Sequence, residues 1–435
     1  MQYCITLGEK LQEMDHFKYQ DGKLFAEKLA VETIADEIGT PFYLYSTATL
    51  THHYRTIDEA LAGLRHCVFY AMKAASNQAI LKTLVAEGAG MDVVSSGEYA
   101  RAIAAGVSPD KIVFSGIGKT KEEIQMALAG GIRQFNIESE TEMKLLSSIA
   151  VEMKTTAPIT VRINPDVDAK THEKISTGKA ENKFGIPISR ARAVYAIATE
   201  LPNLEVIGID VHIGSQLTTL EPFETAYKKI ADLTTVLRND GHKIERLDLG
   251  GGLGIPYNSL SETPPLPSKY GELVKRTVGH LDCEIEIEPG RLIVGNAAIL
   301  VSKVIYIKSG EERNFLILDA AMNDLIRPAM YDSWHDIIPI NEPLAEHETA
   351  HIDIVGPICE TGDTFARQRL MPPLISGDLV AFRSAGAYGA VMSSEYNSRR
   401  LIPEVMVNGD QFAIIRARPT FDDMINRDII PKWLK

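Results

Sequence analysis

Residues 68–77 read VFYAMKAASN, a run of apolar and aromatic residues that ends in a single lysine, Lys73. Similar short apolar runs recur about every 20 to 45 residues as far as residue 290. The eight runs are CVFYAMK (67–73), MDVVS (91–95), KIVFSG (111–116), QFNIES (134–139), ITVRIN (159–164), VIGIDVHIG (206–214), RLDLGGG (246–252) and EIEIEPG (284–290). Their length and composition predict eight buried strands.

The segments between these runs carry helix signals. SGEYARAIAAG, TKEEIQMALAGG and SETEMKLLSSIAVEM begin at Ser or Thr, and the first two end in Gly, as helices often do. Eight alternating β and α units in about 225 residues predict a TIM (β/α)8 barrel within the α/β class. A doubly wound open sheet would also alternate, but no GxGxxG follows the first strand, so the barrel is favoured.

The pattern changes after residue 296. Segments such as AAILVSKVIYIKS, NFLILDAAM and PEVMVNG are rich in Val and Ile with turn residues between them, which predicts a second, mainly β domain. We therefore expect a barrel domain over 36–296 and a mainly β domain over 297–435. Residues 1–35 contain a possible hairpin at KYQDGKL and are assigned to the second domain.

Composition limits the possible functions. The formal charge is −13 and the pI is near 5.4, without a basic cluster, which argues against a nucleic-acid partner. No leader-like N-terminus and no apolar stretch of membrane-spanning length is present, so a cytoplasmic protein without a membrane partner is the expectation. The four cysteines and eleven histidines lack metal-ligand spacing, and no metal is predicted.

The ends of barrel strands carry catalytic groups in this fold, so Lys73 has two interpretations. Its ammonium either reaches out of the barrel rim into water, or it is a nucleophilic amine that forms a Schiff base with a carbonyl.

The sixth strand ends in HIGSQ (212–216), where His212 is either structural or shares a turn with anion donors such as Ser215. The seventh ends in LGGGLG (249–254), either a tight turn or a phosphate-binding loop. The loops 165–187 and 253–268 are long, and the first is a possible lid.

Alternation places Glu284, Glu286 and Glu288 on one face of the eighth strand, so at least one carboxylate enters the barrel mouth and needs a cation. A salt bridge to Arg291 is one possibility. Together the strand ends offer an amine, a flat ring, anion donors and a carboxylate. This combination fits pyridoxal 5'-phosphate, which needs an imine-forming lysine, a phosphate cradle and an acid at its ring nitrogen.

The chain resembles the diaminopimelate decarboxylases, a branch of the barrel-type pyridoxal-phosphate decarboxylases. The matching motifs are FYAMKA, DVVSSGE, VRINPDVDAKTHEKISTG with KFGI, HIGSQ, LGGGLG, EPGR, RPAMYDSWH, GPICETGD and GAYGAVMSSEYNSR, in family order over residues 40–400. The resemblance implies decarboxylation of meso-2,6-diaminopimelate to L-lysine and CO2, the last step of lysine biosynthesis. Ornithine, arginine or another carboxylated diamine remains an alternative substrate, and a non-catalytic cofactor-binding relative is a further alternative.

The resemblance also assigns roles to individual residues. It implies that Lys73 forms the Schiff base, that His212 stacks on the cofactor ring and that Cys359 donates a proton. The cofactor-binding residues that it implies are Lys73, His212, Ser215, Gly251, Gly252, Glu288, Gly290, Arg291 and Tyr388. The substrate-binding residues are Arg291, Arg327, Tyr331, Glu360 and Tyr388. In this family Cys359, Glu360 and Tyr388 come from the neighbouring subunit, which implies a homodimer with shared active sites.

Overall fold

The computed structural model describes residues 15–168, 183–258, 263–343 and 349–434. These residues form two compact units. The barrel unit contains the described residues of 50–256 and 263–293, and the sheet unit contains those of 15–49, 257–258 and 294–434. The domain limits near residues 36 and 296 stay predictions.

The strands in chain order are β1 Phe17–Gln20, β2 Lys23–Ala26, β3 Leu29–Ala30, β4 Phe42–Ser46, β5 His66–Ala71, β6 Gly90–Val93, β7 Ile112–Phe114, β8 Gln134–Ile137, β9 Ala157–Asn164, β10 Ile186–Pro187, β11 Leu204–Asp210, β12 Arg246–Asp248, β13 Glu284–Ile287, β14 Ala298–Ser309, β15 Asn314–Leu318, β16 Ile337–Pro339, β17 Ala350–Val355, β18 Thr364–Met371, β19 Leu379–Phe382, β20 Glu404–Asn408 and β21 Gln411–Arg416.

The α-helices are α1 Val31–Ile38, α2 Thr47–Ala60, α3 Gln78–Ala86, α4 Ser96–Ala105, α5 Lys121–Gly130, α6 Glu140–Met153, α7 Ala191–Glu200, α8 Glu221–Asn239, α9 Pro267–Thr277, α10 Arg291–Val294, α11 Arg327–Tyr331 and α12 Phe421–Ile425. In the described part of the chain, none of the helices combines the length and the apolar character needed to cross a bilayer.

Eight parallel strands close into a barrel in the order β5-β6-β7-β8-β9-β11-β12-β13. The ring closes where β13 pairs with β5, with Ile285 opposite His66 and Ile287 opposite Val68. All eight predicted runs coincide with these strands, so the barrel prediction is confirmed and the open-sheet alternative is wrong.

Local signals fix where the barrel helices begin and end. Ser95 and Ser139 accept hydrogen bonds from the third backbone N–H of α4 and α6, and Thr120 forms a capping box with Glu123 at the start of α5. Gly106 ends α4 in the left-handed conformation that glycine adopts without steric cost. These residues therefore set the ends of the helices that connect one barrel strand to the next.

The sheet unit is built on a nine-stranded sheet whose main order is β18-β17-β15-β14-β4-β20-β21, with β19 beside β14 and β16 beside β19. The N-terminal strand β4 lies between β14 and β20, so this sheet joins both ends of the chain. This confirms the prediction of a separate, mainly β domain.

The predicted hairpin at KYQDGKL forms from β1 and β2. The Leu24 N–H donates to the Ile340 carbonyl at 2.8 Å, and Phe17 and Leu24 share an apolar cluster with Ile299 and Val405. The hairpin therefore packs with the strands that follow the barrel in sequence.

A buried ionic network lies at the N-terminal ends of the barrel strands. Arg133 Nη2 contacts Glu284 Oε2 and Glu286 Oε1, both at 2.7 Å, and Arg246 Nε lies 3.6 Å from Glu284. The Glu286 side chain is fully buried. Burial raises the pKa of Glu286, and the Arg133 charge opposes this rise. If the cation is removed, the buried carboxylate keeps its desolvation cost without the attraction that offsets it.

We expect Arg133→Met to destabilise the protein by about 3 kcal/mol, because it leaves Glu286 buried beside a weaker partner. Arg192→Met, which removes an exposed ion pair with Asp240, is the matched control and should cost about 1 kcal/mol or less. Urea unfolding followed by circular dichroism measures both variants. Equal losses in the two variants would contradict the assignment of this network as a stabilising element.

Candidate active site

Lys73 lies in the 3-10 turn Met72–Ala74 directly after β5. Its Nζ donates to Asp92 Oδ2 on the neighbouring strand β6 at 2.6 Å. The Lys73 side chain is 39% exposed, whereas the Asp92 side chain is fully buried. The ammonium is thus held at the barrel mouth by a buried carboxylate and stays accessible to a small molecule.

Glu288 follows β13 and is buried. Its Oε1 accepts hydrogen bonds from Ser115 Oγ at 3.0 Å and Asn136 Nδ2 at 3.2 Å. Burial raises the pKa of Glu288 well above its usual value, and the charges of Asp248 and Asp92 raise it further. Within the described residues no ion pair includes Glu288, so the salt bridge to Arg291 is not formed. This carboxyl accepts its hydrogen bonds from neutral donors, and the charge of Lys73 offsets part of the rise in its pKa.

The other two acids of the eighth strand, Glu284 and Glu286, lie away from the barrel mouth. Glu284 and Glu286 pair with Arg133 at the opposite ends of the strands. Only Glu288, the last of the three along the strand, reaches the mouth where Lys73 lies. The prediction that at least one of the three carboxylates enters the mouth is thereby met.

His212 follows β11 and accepts a hydrogen bond at Nδ1 from the Gly251 N–H, at 3.2 Å. This bond assigns the ring proton of neutral His212 to Nε2. Burial lowers the pKa of His212 well below its usual value, and the charges of Arg162 and Lys73 lower it further. The imidazole is therefore a neutral, flat ring near neutral pH.

The loops after β11, β12 and β13 lie against one another. The Leu217 N–H donates to the Gly252 carbonyl at 2.9 Å, and the Glu288 N–H donates to the Gly250 carbonyl at 2.8 Å. A Cβ at Gly251 would lie 2.3 Å from the Glu288 carbonyl oxygen, and a Cβ at Gly252 would lie 2.3 Å from that of Gly214. The packing of these loops thus requires glycine.

Gly290 lies where the loop after the last barrel strand approaches the end of the first strand. The Ala71 N–H donates to the Pro289 carbonyl at 3.2 Å, and a Cβ at Gly290 would lie 3.0 Å from the Ala71 carbonyl oxygen. The loop that carries Glu288 therefore lies directly beside the turn that carries Lys73.

Arg291 and Ser215 come together in the barrel unit. Arg291 is buried, and its Nη2 donates to Ser215 Oγ at 3.0 Å. A guanidinium beside a hydroxyl is a suitable pair for an anionic group such as a phosphate or a carboxylate. The family resemblance names both as cofactor-binding residues, and that role stays a prediction.

Several polar residues inside the barrel strands were not predicted as site residues. Arg162 Nη1 donates to Glu138 Oε1 at 2.7 Å, and its Nε lies 3.9 Å from Asp210 Oδ2. Asp92 and Asn136 hold Lys73 and Glu288. Each lies within an apolar run, and a polar residue inside such a run was the available signal, because its burial demands a partner.

In the sheet unit, Arg327 begins α11 and is buried. Its Nη1 lies 2.8 Å from His335 Nε2, and its guanidinium carbon lies 4.3 Å from the centre of the Tyr257 ring. Tyr331 ends the same helix and is half-buried. Tyr388 is also half-buried and has a left-handed φ of 57°.

Cys359 and Glu360 lie in the sheet unit, in the loop between β17 and β18, and both are exposed. Asp363 organises this loop by accepting the Met322 N–H and the Ile358 N–H, each at 2.7 Å. Burial raises the pKa of Asp363. The thiol and the carboxylate are therefore presented on an ordered loop.

The barrel residues suit pyridoxal phosphate on chemical grounds. Lys73 is an accessible amine, Glu288 is a buried acid that forms no salt bridge in the described residues, and His212 is a neutral ring. A protonated pyridine nitrogen is the kind of cation that Glu288 lacks. Most of the predicted lid, residues 169–182 of the loop 165–187, lies outside the described residues.

Residues 47–295 match the family model described as "Pyridoxal-dependent decarboxylase, pyridoxal binding domain". Diaminopimelate decarboxylase of Vibrio cholerae is 50% identical over 407 residues, which cover 93% of this chain and 96% of that protein. Diaminopimelate decarboxylase of M. jannaschii, solved with L-lysine, matches with a TM-score of 0.91 and 37% identity over 97% of this chain and 99% of that one.

The Helicobacter pylori diaminopimelate decarboxylase, also solved with L-lysine, matches with a TM-score of 0.87 and 38% identity over 91% of this chain and 98% of that one. The motif resemblance and the likeness of the whole chain agree. The chain belongs to the diaminopimelate decarboxylase family of pyridoxal-dependent decarboxylases.

Proposed function

We propose that this chain decarboxylates meso-2,6-diaminopimelate to L-lysine and CO2, with pyridoxal phosphate bound at the barrel mouth. The observation that carries the proposal is the buried Glu288 carboxyl, held by neutral donors, beside the loop of the accessible Lys73 amine. We further infer that the reaction is the last step of lysine biosynthesis and takes place in the cytoplasm.

When bound, pyridoxal phosphate supplies an electron sink for the negative charge left on the substrate α-carbon after CO2 departs. Lys73 would anchor the cofactor through its amine, and Asp92 holds that amine in place. Glu288 would accept a hydrogen bond from the protonated ring nitrogen, because it is buried and accepts hydrogen bonds from the neutral donors Ser115 and Asn136. His212 would stack on the cofactor ring, and because its imidazole is neutral it would add no positive charge beside the protonated ring nitrogen.

Ser215, Arg291 and the glycines Gly251, Gly252 and Gly290 would hold the phosphate. The pair of Ser215 and Arg291 supports this role by charge and hydrogen-bonding capacity. Backbone groups in glycine-rich loops after late barrel strands commonly bind phosphate. Tyr388 is proposed to contact the cofactor as well.

The far end of the substrate distinguishes the candidate substrates. Diaminopimelate carries an amino group and a carboxylate there, whereas ornithine carries only an ammonium. Arg291, Arg327 and Tyr331 would bind the carboxylate, because a guanidinium binds carboxylate in a bidentate manner. Glu360 would bind the amino group. A chain specific for ornithine would not need this arginine pair.

Cys359 would donate the proton that replaces CO2 at the α-carbon. We also propose a homodimer in which each subunit supplies Cys359, Glu360 and Tyr388 to the active site of its neighbour. The exposure of Cys359 and Glu360 on one chain is compatible with this arrangement.

Purified protein with added pyridoxal phosphate should release CO2 from meso-diaminopimelate and form lysine, with little release from ornithine or arginine. Lys73→Ala should lose this activity by about three orders of magnitude or more, because the anchoring amine is gone. Carbon dioxide release and lysine formation are measured together. Turnover of ornithine at a comparable rate would contradict the substrate assignment, and cofactor binding without turnover would favour the non-catalytic alternative.

Arg327→Lys should raise the KM for diaminopimelate at least about tenfold, because a lysine ammonium cannot bind a carboxylate through two parallel hydrogen bonds. Arg313→Lys, at an exposed arginine that pairs with Asp353 in the same unit, is the matched control and should leave KM unchanged. Steady-state kinetics at saturating cofactor measure both. An unchanged KM in the Arg327 variant with normal thermal stability would defeat the proposed carboxylate contact.

Mixing inactive Lys73→Ala with inactive Cys359→Ala should restore up to about a quarter of wild-type activity. In a two-fold dimer with shared sites, half of the randomly mixed dimers contain one intact site of two. The measurement is activity after dissociation and reassociation of the two variants, with each variant alone as control. No recovery, despite mixed dimers detected by native mass spectrometry, would contradict sharing of Cys359 between subunits.

A further inference from the structure

Two motifs that are distant in sequence meet in the sheet unit. The Cys359 N–H donates to Asn397 Oδ1 at 3.0 Å. The Tyr396 hydroxyl donates to Glu360 Oε2 at 2.9 Å. Two adjacent residues of one segment thus bind two adjacent residues of the loop between β17 and β18.

The segment that carries Tyr396 is itself anchored. Asn323, which is buried, donates from Nδ2 to the Ser394 carbonyl at 3.0 Å, and the Ser394 N–H donates to the Asn323 carbonyl at 2.9 Å. This reciprocal pair fixes the backbone two residues before Tyr396. The hydroxyl and the Asn397 amide therefore extend from a fixed base.

The backbone at Asn397 and Ser398 is strained. Both residues have a φ of 55°, in the left-handed region that non-glycine residues rarely adopt. Asparagine tolerates this conformation better than most residues. The conformation accompanies the hydrogen bond from the Asn397 side chain to the Cys359 backbone, and such strain is commonly retained at functional positions.

One oxygen of the Glu360 carboxylate is held by a hydrogen bond, and the other lies over a glycine. Oε2 accepts the Tyr396 hydroxyl, and a Cβ added at Gly362 would lie only 2.8 Å from Oε1. An exposed glutamate normally loses considerable rotamer freedom when it is fixed in one position. Here the hydrogen bond from Tyr396 restricts the carboxylate without any ligand.

We propose that Tyr396 and Asn397 are positioning residues, with Asn397 setting the backbone of Cys359 and Tyr396 orienting the Glu360 carboxylate toward a substrate ammonium. This proposal rests on the proposed function, in which Cys359 donates a proton and Glu360 binds the distal amino group. It assigns the preference for a distal ammonium to Glu360 and Tyr396 together.

The first experiment compares two probes that differ by one amino group. L-Lysine carries an α-ammonium beside its carboxylate, and 6-aminohexanoate has the same chain and carboxylate without that ammonium. In the pyridoxal-phosphate-loaded protein, Tyr396→Phe should weaken L-lysine binding by about 3- to 10-fold, as expected for loss of a hydrogen bond to a charged group. Its affinity for 6-aminohexanoate should not change.

Isothermal titration calorimetry measures both affinities. Tyr306→Phe is the matched control, because Tyr306 is an exposed tyrosine on β14, and this variant should bind both probes as the wild type does. Equal weakening for both probes, or no weakening for either, would overturn the role of Tyr396.

The second experiment reads the Cys359 amide directly. Asn397→Gly keeps the left-handed backbone but removes the acceptor, so hydrogen exchange at the Cys359 amide should accelerate about tenfold or more. Asn397→Asp keeps an acceptor oxygen and should restore protection. The kcat for diaminopimelate should fall in the Gly variant more than KM rises, and should recover in the Asp variant.

Hydrogen exchange measured by mass spectrometry on peptides that contain Cys359 does not depend on catalysis. Unchanged exchange in Asn397→Gly would overturn the role of Asn397. If the wild type does not turn over diaminopimelate, the proposed function fails, whereas the exchange result still decides whether Asn397 positions Cys359. The two failures are therefore distinguishable.

Discussion

The pairing of the last barrel strand with the first is the constraint on which the site depends. Closure at β13 and β5 places the loop of Glu288 beside the turn of Lys73, with the Ala71 N–H bonded to the Pro289 carbonyl. Gly290 permits this approach, since a Cβ there would crowd the Ala71 carbonyl. Without closure the amine and the acid would stand at the two edges of an open sheet, too far apart to bind one small molecule.

Closure also forces many charges into a small interior. Burial raises the pKa of both Glu288 and Asp248. The charges of Asp248 and Asp92 raise the pKa of Glu288 further. Those of Asp210 and Glu286 raise the pKa of Asp248 further. Lys73 offsets part of this charge at Asp92, and Arg162 does so at Glu138. Glu288 itself forms no salt bridge within the described residues, and this favours a ligand that brings positive charge to it.

The sequence was sufficient for the barrel, because each strand is marked by its own apolar run and several of the helices between them by capping residues. It also located Lys73, His212 and Glu288 at strand ends. It did not identify Asp92 as the partner of Lys73 or Asn136 as the partner of Glu288. The sequence gives the position of a residue along its own strand, whereas strand tilt and register decide which residue of the next strand it contacts. For the same reason the alternation put Glu284 and Glu286 on the same face as Glu288 but did not predict that they pair with Arg133 at the N-terminal ends of the strands.

The two units differ in how their proposed site residues are held. In the barrel, Lys73 and Glu288 are fixed by the buried residues Asp92 and Asn136 on other strands. In the sheet unit, Cys359 and Glu360 are exposed and are fixed by Asn397 and Tyr396. A thiol in open water delivers a proton with little stereochemical control, since solvent competes for the same carbon. The proposed chemistry therefore requires that another surface cover this loop, and a second copy of the chain would supply that cover in the proposed dimer.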